Sequence, residues 1–396
     1  MKLKVLIADA FPEKYLKIMS DLGLEVVYQP KAGENDLPEL AKNVDILVVR
    51  STKVSEPAIM ASENLNLIIR AGAGVNNINI SAANKKGIYV ANCPGKNSIA
   101  VAELAMGLIL SLDRKIPDNV SDFKNGVWNK GKYSKAEGVY GKNLGIIGFG
   151  NIGKEVAQRA LAFGMNVYAK DISRIEGVNV KDFSEMDQIL PILDIISIHL
   201  PLSDQTRGLF NKQMFEYVKP GALLVNTSRA EVIDEDALLE AIEKKGIRVA
   251  IDVFKGEPEG KDGSVSSKLQ SNPNVYVTHH IGASTEQAQD AVAEETVNII
   301  RGYVQSGVIA HWVNKLTEQI TEYQLVVKHF DRPGVLAAIF NVIKKEDINV
   351  EEVENMIFAG GVVAQCTIKL KKALSPGLLE EIRKLENVMT ISHTTL

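Results

Sequence analysis

The spacing of three glycines, GFGNIG (148–153), directly after the apolar run NLGII gives the first indication of chemistry. In a strand–turn–helix setting Gly148 permits a tight turn, Gly150 lets a pyrophosphate approach the backbone, and Gly153 allows close helix packing. The helix that should open there, NIGKEVAQRALAFG, would turn oriented N–H groups and its positive dipole end toward phosphates. Asp171, 18 residues past Gly153, ends the next apolar run. It is placed to accept hydrogen bonds from a ribose and to repel a 2′-phosphate, so NAD is expected rather than NADP.

A second set comprises Arg229 in NTSRAEV (226–232), Glu257 in DVFKGEP (252–258) and the two histidines, His279 and His280, of HHIGAST (279–285). Each follows a run of strand character. Taken singly, such residues are ordinary surface charges. At the ends of strands of one dinucleotide-binding sheet they face the ligand crevice. There a guanidinium can grip a planar carboxylate. An imidazole can take a hydroxyl proton near neutral pH, and a carboxylate can hold its other nitrogen. Together they suit removal of a hydride and a proton from a hydroxy acid.

The elements that must position these groups follow from apolar periodicity. KVLIA (4–8), LEVVY (24–28), DILVV (45–49), LNLII (65–69) and IYVAN (88–92) are Val/Ile-rich and non-alternating, as buried parallel strands are. NSIAVAELAMGLILSLDRKI (97–116) predicts a buried helix, and the polar, Gly-bearing stretch 126–141 predicts a loop. Strands resume at NLGIIG, NVYAKD, DIISIHL, ALLVNTS, RVAIDVF and VYVTHH, alternating with helical patterns, which argues a doubly wound α/β sheet. Helix AQDAVAEETVNIIRGYVQSG (288–307) closes the block. The last eighty residues read strand, helix, strand, strand, helix, strand, a βαββαβ unit.

The bulk composition narrows the class. With 396 residues, two or three domains are expected. Hydrophobic residues make up 45% and charged ones 24%, with a net charge of −4, so neither nucleic acid nor an anionic membrane is an expected partner. Cys93 and Cys366 form no metal or disulfide spacing, and no apolar run approaches a membrane span. Asp9 and Glu13 come too early for a signal peptide, so a cytoplasmic location is expected.

Seven stretches in order carry a resemblance: AGAGVNNI (71–78), NCPGKNSIAVAEL (92–104), LGIIGFGNIG (144–153), HLPLSDQT (199–206), NTSRAEVIDEDAL (226–238), DVFKGEP and HHIGAST. Over roughly its first 310 residues the chain resembles the D-isomer-specific 2-hydroxyacid dehydrogenases. The resemblance implies a discontinuous flavodoxin-like substrate domain (1–97 and 284–312) around a Rossmann NAD-binding domain (98–283). It implies that Arg229 binds the substrate's carboxylate and carbonyl, that His280 is the acid/base and that Glu257 orients it. The cofactor-facing set becomes Gly148, Gly150, Asn151, Ile152, Gly153, Asp171, Leu200 and Asp252. His279 stands where the family usually has Pro, Asn76 where Asp is common, and Ala230 where Gly usually follows the arginine.

Two further stretches refine this expectation. VVRSTKV (48–54) resembles the substrate-phosphate segment of the family's phosphoglycerate-oxidising members. Its backbone amides, hydroxyls and basic side chains could receive a phosphate, with Arg50, Ser51, Lys53 and Asn97 on the substrate side. After a linker (313–320), residues 321–396 resemble an ACT domain through KHFDRPGVLAAIFNVIKKEDINV (328–350). That resemblance implies 3-phospho-D-glycerate as substrate and L-serine as effector at His329, Asp331 and Asn349, in a homodimer or homotetramer. Asp331 stands where Asn is often found.

Overall fold

The structure is a computed structural model that describes residues 2–171, 180–183, 185–258, 263–316 and 321–396. The chain divides into two compact units, Met1–Asn314 and Lys315–Leu396. In the first unit, strands β1 (Lys4–Ile7), β2 (Glu25–Tyr28), β3 (Ile46–Val49), β4 (Leu67–Arg70) and β5 (Tyr89–Asn92) form a parallel sheet in the order β2-β1-β3-β4-β5. This is the flavodoxin-like order. Every residue of β3 is buried, as a non-alternating apolar run requires when both faces are covered. Helix Glu286–Ser306 supplies Val292, Val297, Ile299 and Ile300 to one of those faces, so the chain returns to its first sheet after completing the second.

The second sheet is also parallel. It contains β6 (Asn143–Ile147), β7 (Asn166–Lys170), β8 (Lys181–Asp182), β9 (Ile195–Ile198), β10 (Leu223–Asn226), β11 (Arg248–Ile251) and β12 (Val275–Val277). Their order, β12-β11-β10-β9-β6-β7-β8, reverses direction at β6. Ligand crevices in open α/β sheets lie outside the carboxyl ends of strands at such a switch point. Helices Ser98–Arg114 and Asn151–Ala162 cover one face of this sheet.

Two local readings differ from the sequence expectation. The helix expected over 97–116 ends at Arg114, where Lys115 turns left-handed (φ 50°), and a new helix with an early proline, Ile116–Lys124, follows. The stretch 126–141 contains a short helix, Lys130–Tyr133, whose first turn is capped by the Asn129 side chain. Val313 and Asn314, expected in a linker, are bound to β5 instead. The Val313 N–H donates to Val90 O (2.8 Å), and the Val90 N–H donates to Asn314 Oδ1 (2.8 Å). Trp312 packs edge-on against Tyr89. Residues 317–320 of the expected linker lie outside the described residues.

The second unit is an antiparallel sheet of β13 (Tyr323–Phe330), β14 (Val350–Ile357), β15 (Val363–Leu370) and β16 (Val388–Thr395), in the order β14-β15-β13-β16. Helices Val335–Ile343 and Pro376–Arg383 complete the βαββαβ order. Among the described residues no helix is long and apolar enough to cross a membrane.

Candidate active site

The glycine turn has the geometry a dinucleotide needs. Gly148 has φ +96°, and a Cβ there would lie 2.6 Å from the His199 carbonyl oxygen. A Cβ at Gly153 would lie 2.3 Å from the Gly148 carbonyl oxygen, whereas one at Gly150 would meet nothing within 4 Å. The first and third glycines are thus fixed by packing, and the middle one faces open space at the start of helix Asn151–Ala162. Asp171, just past β7, accepts a hydrogen bond from the Phe149 N–H (2.6 Å), which places its carboxylate beside the turn. Leu200 lies against Gly148, Ile152 packs partly buried into the core, and Asn151 lies against Gly95 in the loop that leads to Asn97. The cradle, the helix start and the carboxylate fit NAD.

Glu257 and His280 meet although 23 residues separate them. His280 Nδ1 is 2.7 Å from Glu257 Oε2, and Glu257 Oε1 accepts from the Phe254 N–H (2.8 Å), so the carboxylate is held at both oxygens. Nε2 is left as the imidazole nitrogen able to take a proton. His280 is itself left-handed (φ 52°), an uncommon conformation for a non-glycine residue. Asp252 holds it there. This carboxylate is 1% exposed and accepts from Thr278 Oγ1 (2.6 Å), the Ile281 N–H (2.9 Å) and the Gly282 N–H (2.8 Å), while its backbone carbonyl accepts from the His280 N–H (3.0 Å). Here Asp252, expected at the nicotinamide end, braces both sides of His280.

A cavity of about 900 Å³ is lined by Arg50, Ser51, Asn97, Glu257, His279 and His280, so the structure brings most of the expected substrate and catalytic residues together. Asn97 Oδ1 is buried there without a hydrogen-bond partner, as suits an acceptor awaiting a ligand donor. Arg229 does not line this cavity. Its Nε donates to Asn76 Oδ1 (3.2 Å) and its Nη1 to Ser228 O (2.7 Å), with Nη2 against Gly74. Burial lowers its pKa, which the nearby Glu231 and Glu257 oppose.

The stretch 50–53 departs from expectation. Its amides are not open to a phosphate, because Asp9 takes the N–H groups of Arg50, Ser51 and Thr52 together with the Ser51 hydroxyl. Lys53 is turned to Glu34 (3.4 Å) and does not line the cavity. Sequence reasoning missed Arg70. It ends β4, lines the cavity and donates from Nε to the Arg50 carbonyl (3.0 Å). Burial and the fields of Arg229 and Arg50 push its pKa down to about 10, so it stays cationic at neutral pH. Gly72 makes room for it, since a Cβ there would lie 1.7 Å from Arg70 Nη1. An arginine at a strand's carboxyl end with a glycine two residues on was the available signal.

In the second unit, His329 is 1% exposed, with Nδ1 2.9 Å from Phe330 O and Nε2 3.2 Å from Asn355 Oδ1. Asp331 begins the turn after β13, its N–H donating to Val362 O (2.9 Å). Asn349 lies elsewhere, with its Nδ2 on Glu351 Oε1 (3.0 Å). His329 is in register with Ala364 on β15, but Val350 is in register with Leu370, six residues along. Within one chain His329 and Asn349 therefore stand at opposite ends of the sheet, roughly 20 Å apart at the usual rise per residue.

Comparison with known proteins agrees with this geometry. Residues 106–282 match the family described as D-isomer specific 2-hydroxyacid dehydrogenase, NAD binding domain. The D-3-phosphoglycerate dehydrogenase of Methanocaldococcus jannaschii is 37% identical over 394 residues, covering 96% of this chain and 72% of that protein. The hydroxypyruvate reductase of Thermotoga maritima is 44% identical over 269 residues, covering 67% of this chain and 87% of that protein. Among solved structures, the NAD+-bound 3-phosphoglycerate dehydrogenase of Entamoeba histolytica superposes with a TM-score of 0.67 at 29% identity, covering 80% of this chain and all of that one. With the glycine cradle, the imidazole–carboxylate pair and these relatives on one chain, the protein belongs to the D-isomer-specific 2-hydroxyacid dehydrogenases and is an NAD-dependent oxidoreductase.

Proposed function

We propose that the chain oxidises 3-phospho-D-glycerate to 3-phosphohydroxypyruvate, the entry step of L-serine biosynthesis, in the cytoplasm. The observation that carries this reading is the pair of guanidinium groups, Arg50 and Arg70, lining the same cavity as His280. A substrate with a carboxylate and a phosphate needs cations for both, and Arg229 remains for the carboxylate. Relatives from Methanocaldococcus jannaschii and Bacillus subtilis that carry this activity in their names align over 96% and 95% of the chain.

NAD supplies the hydride acceptor. His280 Nε2 takes the C2 hydroxyl proton, and Glu257 steadies the imidazolium that results through its 2.7 Å contact with Nδ1. Arg229, outside the cavity lining and engaged by Asn76 and Ser228, must turn from those partners to hold the carboxylate and polarise the carbonyl as it forms. Asn97 Oδ1 accepts from a substrate hydroxyl.

The C-terminal unit takes the role of an ACT domain that binds L-serine between two copies, since His329 and Asn349 cannot meet within one. A homodimer or homotetramer is also supported by helix Ile116–Lys124, which has no buried residue. Its apolar stripe continues to Phe123 and Trp128, 70% and 82% exposed.

The test is NADH formation with 3-phosphoglycerate, D-glycerate and glycolate as competing substrates. We expect kcat/KM for 3-phosphoglycerate to exceed that for D-glycerate by about 100-fold or more, the worth of two charge-assisted contacts. Equal values would favour the second reading, a hydroxypyruvate reductase, which the relative from Thermotoga maritima supports. L-Serine should lower turnover and release heat on binding, and removal of residues 321–396 should abolish both responses.

A further inference from the structure

At the carboxyl ends of β1 and β3 the fold has built an anion site and filled it with its own side chain. Asp9 is 7% exposed. Its Oδ2 accepts from the N–H groups of Arg50 (2.6 Å), Ser51 (3.1 Å) and Thr52 (3.1 Å), and its Oδ1 accepts from Ser51 Oγ (2.9 Å). Three successive amides aimed at one point form a concavity of the kind that elsewhere binds phosphate. The other side of the loop is also held. Arg70 Nε donates to the Arg50 carbonyl (3.0 Å), and Asn77 Nδ2 donates to the Thr52 carbonyl (2.8 Å).

A buried carboxylate is costly unless its oxygens are satisfied, and four donors satisfy this one. A substrate phosphate entering the concavity would have to displace Asp9 or sit beside a like charge. Of the loop residues that line the cavity, Ser51 has both its N–H and its hydroxyl on Asp9, which leaves the Arg50 side chain, whose backbone Asp9 fixes, to offer donors to a ligand.

We infer that Asp9 is a positioning residue: as the resident anion of the loop amides it presets Arg50 for the substrate's anionic group and confines recognition of that group to guanidinium. This rests on the reading that Arg50 faces the substrate phosphate.

The test uses Asp9→Ala and Arg50→Ala singly and together. Asp9→Ala should raise KM for 3-phosphoglycerate by about tenfold or more, with a smaller change in kcat and unchanged NAD affinity by direct titration, as expected for a misplaced binding group. In the Arg50→Ala background the same substitution should add less than about twofold, because both act through one side chain. Asp9→Asn should recover most of the loss, since its amide oxygen can still accept from the loop N–H groups. Full additivity in the double variant, or an equal loss of NAD affinity, would overturn the assignment. Should Asp9→Ala fail to fold, Asp9→Ser, whose hydroxyl can accept from one amide, replaces it in the same cycle.

A second measurement does not depend on the substrate. Sodium formate should raise the thermal midpoint of the Ala variant toward that of the parent, while sodium chloride at equal ionic strength does not. No recovery with formate would show that the amides are not an anion site. If the parent enzyme does not oxidise 3-phosphoglycerate at all, the functional reading fails, while the formate experiment still decides the role of Asp9.

Discussion

The carboxyl ends of the two parallel sheets are furnished in opposite ways. The five-stranded sheet presents cations, Arg50 after β3 and Arg70 closing β4, around one saturated carboxylate, Asp9. The seven-stranded sheet presents carboxylates, Asp171, Asp252 and Glu257, with the cation Arg229, and two imidazoles at the cavity, His279 and His280, of which His280 is the one paired to Glu257. Both sheets obey the same rule of ligand placement, but they divide the work. On the proposed function the first holds the substrate's anionic groups, while the second holds the cofactor and moves the proton. Rigid strands fix where each group sits, and the loop just beyond decides which chemistry is offered.

The contrast fails first if His280 is not the proton acceptor. His280→Ala should lower turnover by about 100-fold or more while NAD binding, measured by titration, is kept. An alanine variant with parental turnover would move the role to His279, which lines the same cavity. On the other sheet, Arg70→Leu should raise KM for the phosphorylated substrate by roughly 10- to 100-fold, the worth of one charge-assisted contact, with kcat moved less. Arg70→Lys should not restore it, because an ammonium cannot both bond the Arg50 carbonyl and present a planar fork. An unchanged KM in either variant would end the division of labour.

A second histidine sharpens the contrast within the seven-stranded sheet. His199, just past β9, is buried between Ser197 Oγ (2.8 Å) and Thr227 Oγ1 (3.5 Å), and burial pushes its pKa down to about 3. Its folded pKa thus lies below the ordinary value of 6.5, so between the two the unfolded chain binds a proton that the folded chain does not. Stability should fall as pH drops through this window, by about 1.4 kcal/mol per pH unit at most, and should be independent of this group above it. Thermal midpoints measured from neutral pH to about 4 should decline more steeply for the parent than for His199→Asn. Parallel declines would mean that the imidazole is not held neutral.

How much of this was legible in the sequence follows from the distance over which each feature is decided. The glycine turn and the runs around Arg229, Glu257 and His280 are local patterns; the rule that strand ends face a crevice brought Glu257 to the histidine pair 279–280, and the family resemblance selected His280. Arg70 obeys the same rule, directly after the run LNLII and beside the strand that leads to Arg50, yet it stands outside the motif stretch that singles out Arg50. The Asp9 site was not legible, because it depends on β1 and β3 lying side by side, 41 to 43 residues apart in sequence. The helix at 116–124 was missed because none of its residues is fully buried, so no core-facing apolar run marks it. Asn349 and His329 are near in sequence yet at opposite ends of a sheet, a consequence of strand register that spacing alone does not reveal.

The short return of the chain onto β5 also sets where this protein can be cut. Severed after Asn314, the first unit keeps Trp312 over Tyr89 and the asparagine that receives the Val90 amide. Severed before His311, it would bare β5 as a flat parallel edge with an apolar ring at its start, a template on which a second molecule's strand can add. The edge of the five-stranded sheet is thus capped by a residue 224 positions downstream of the amide it holds.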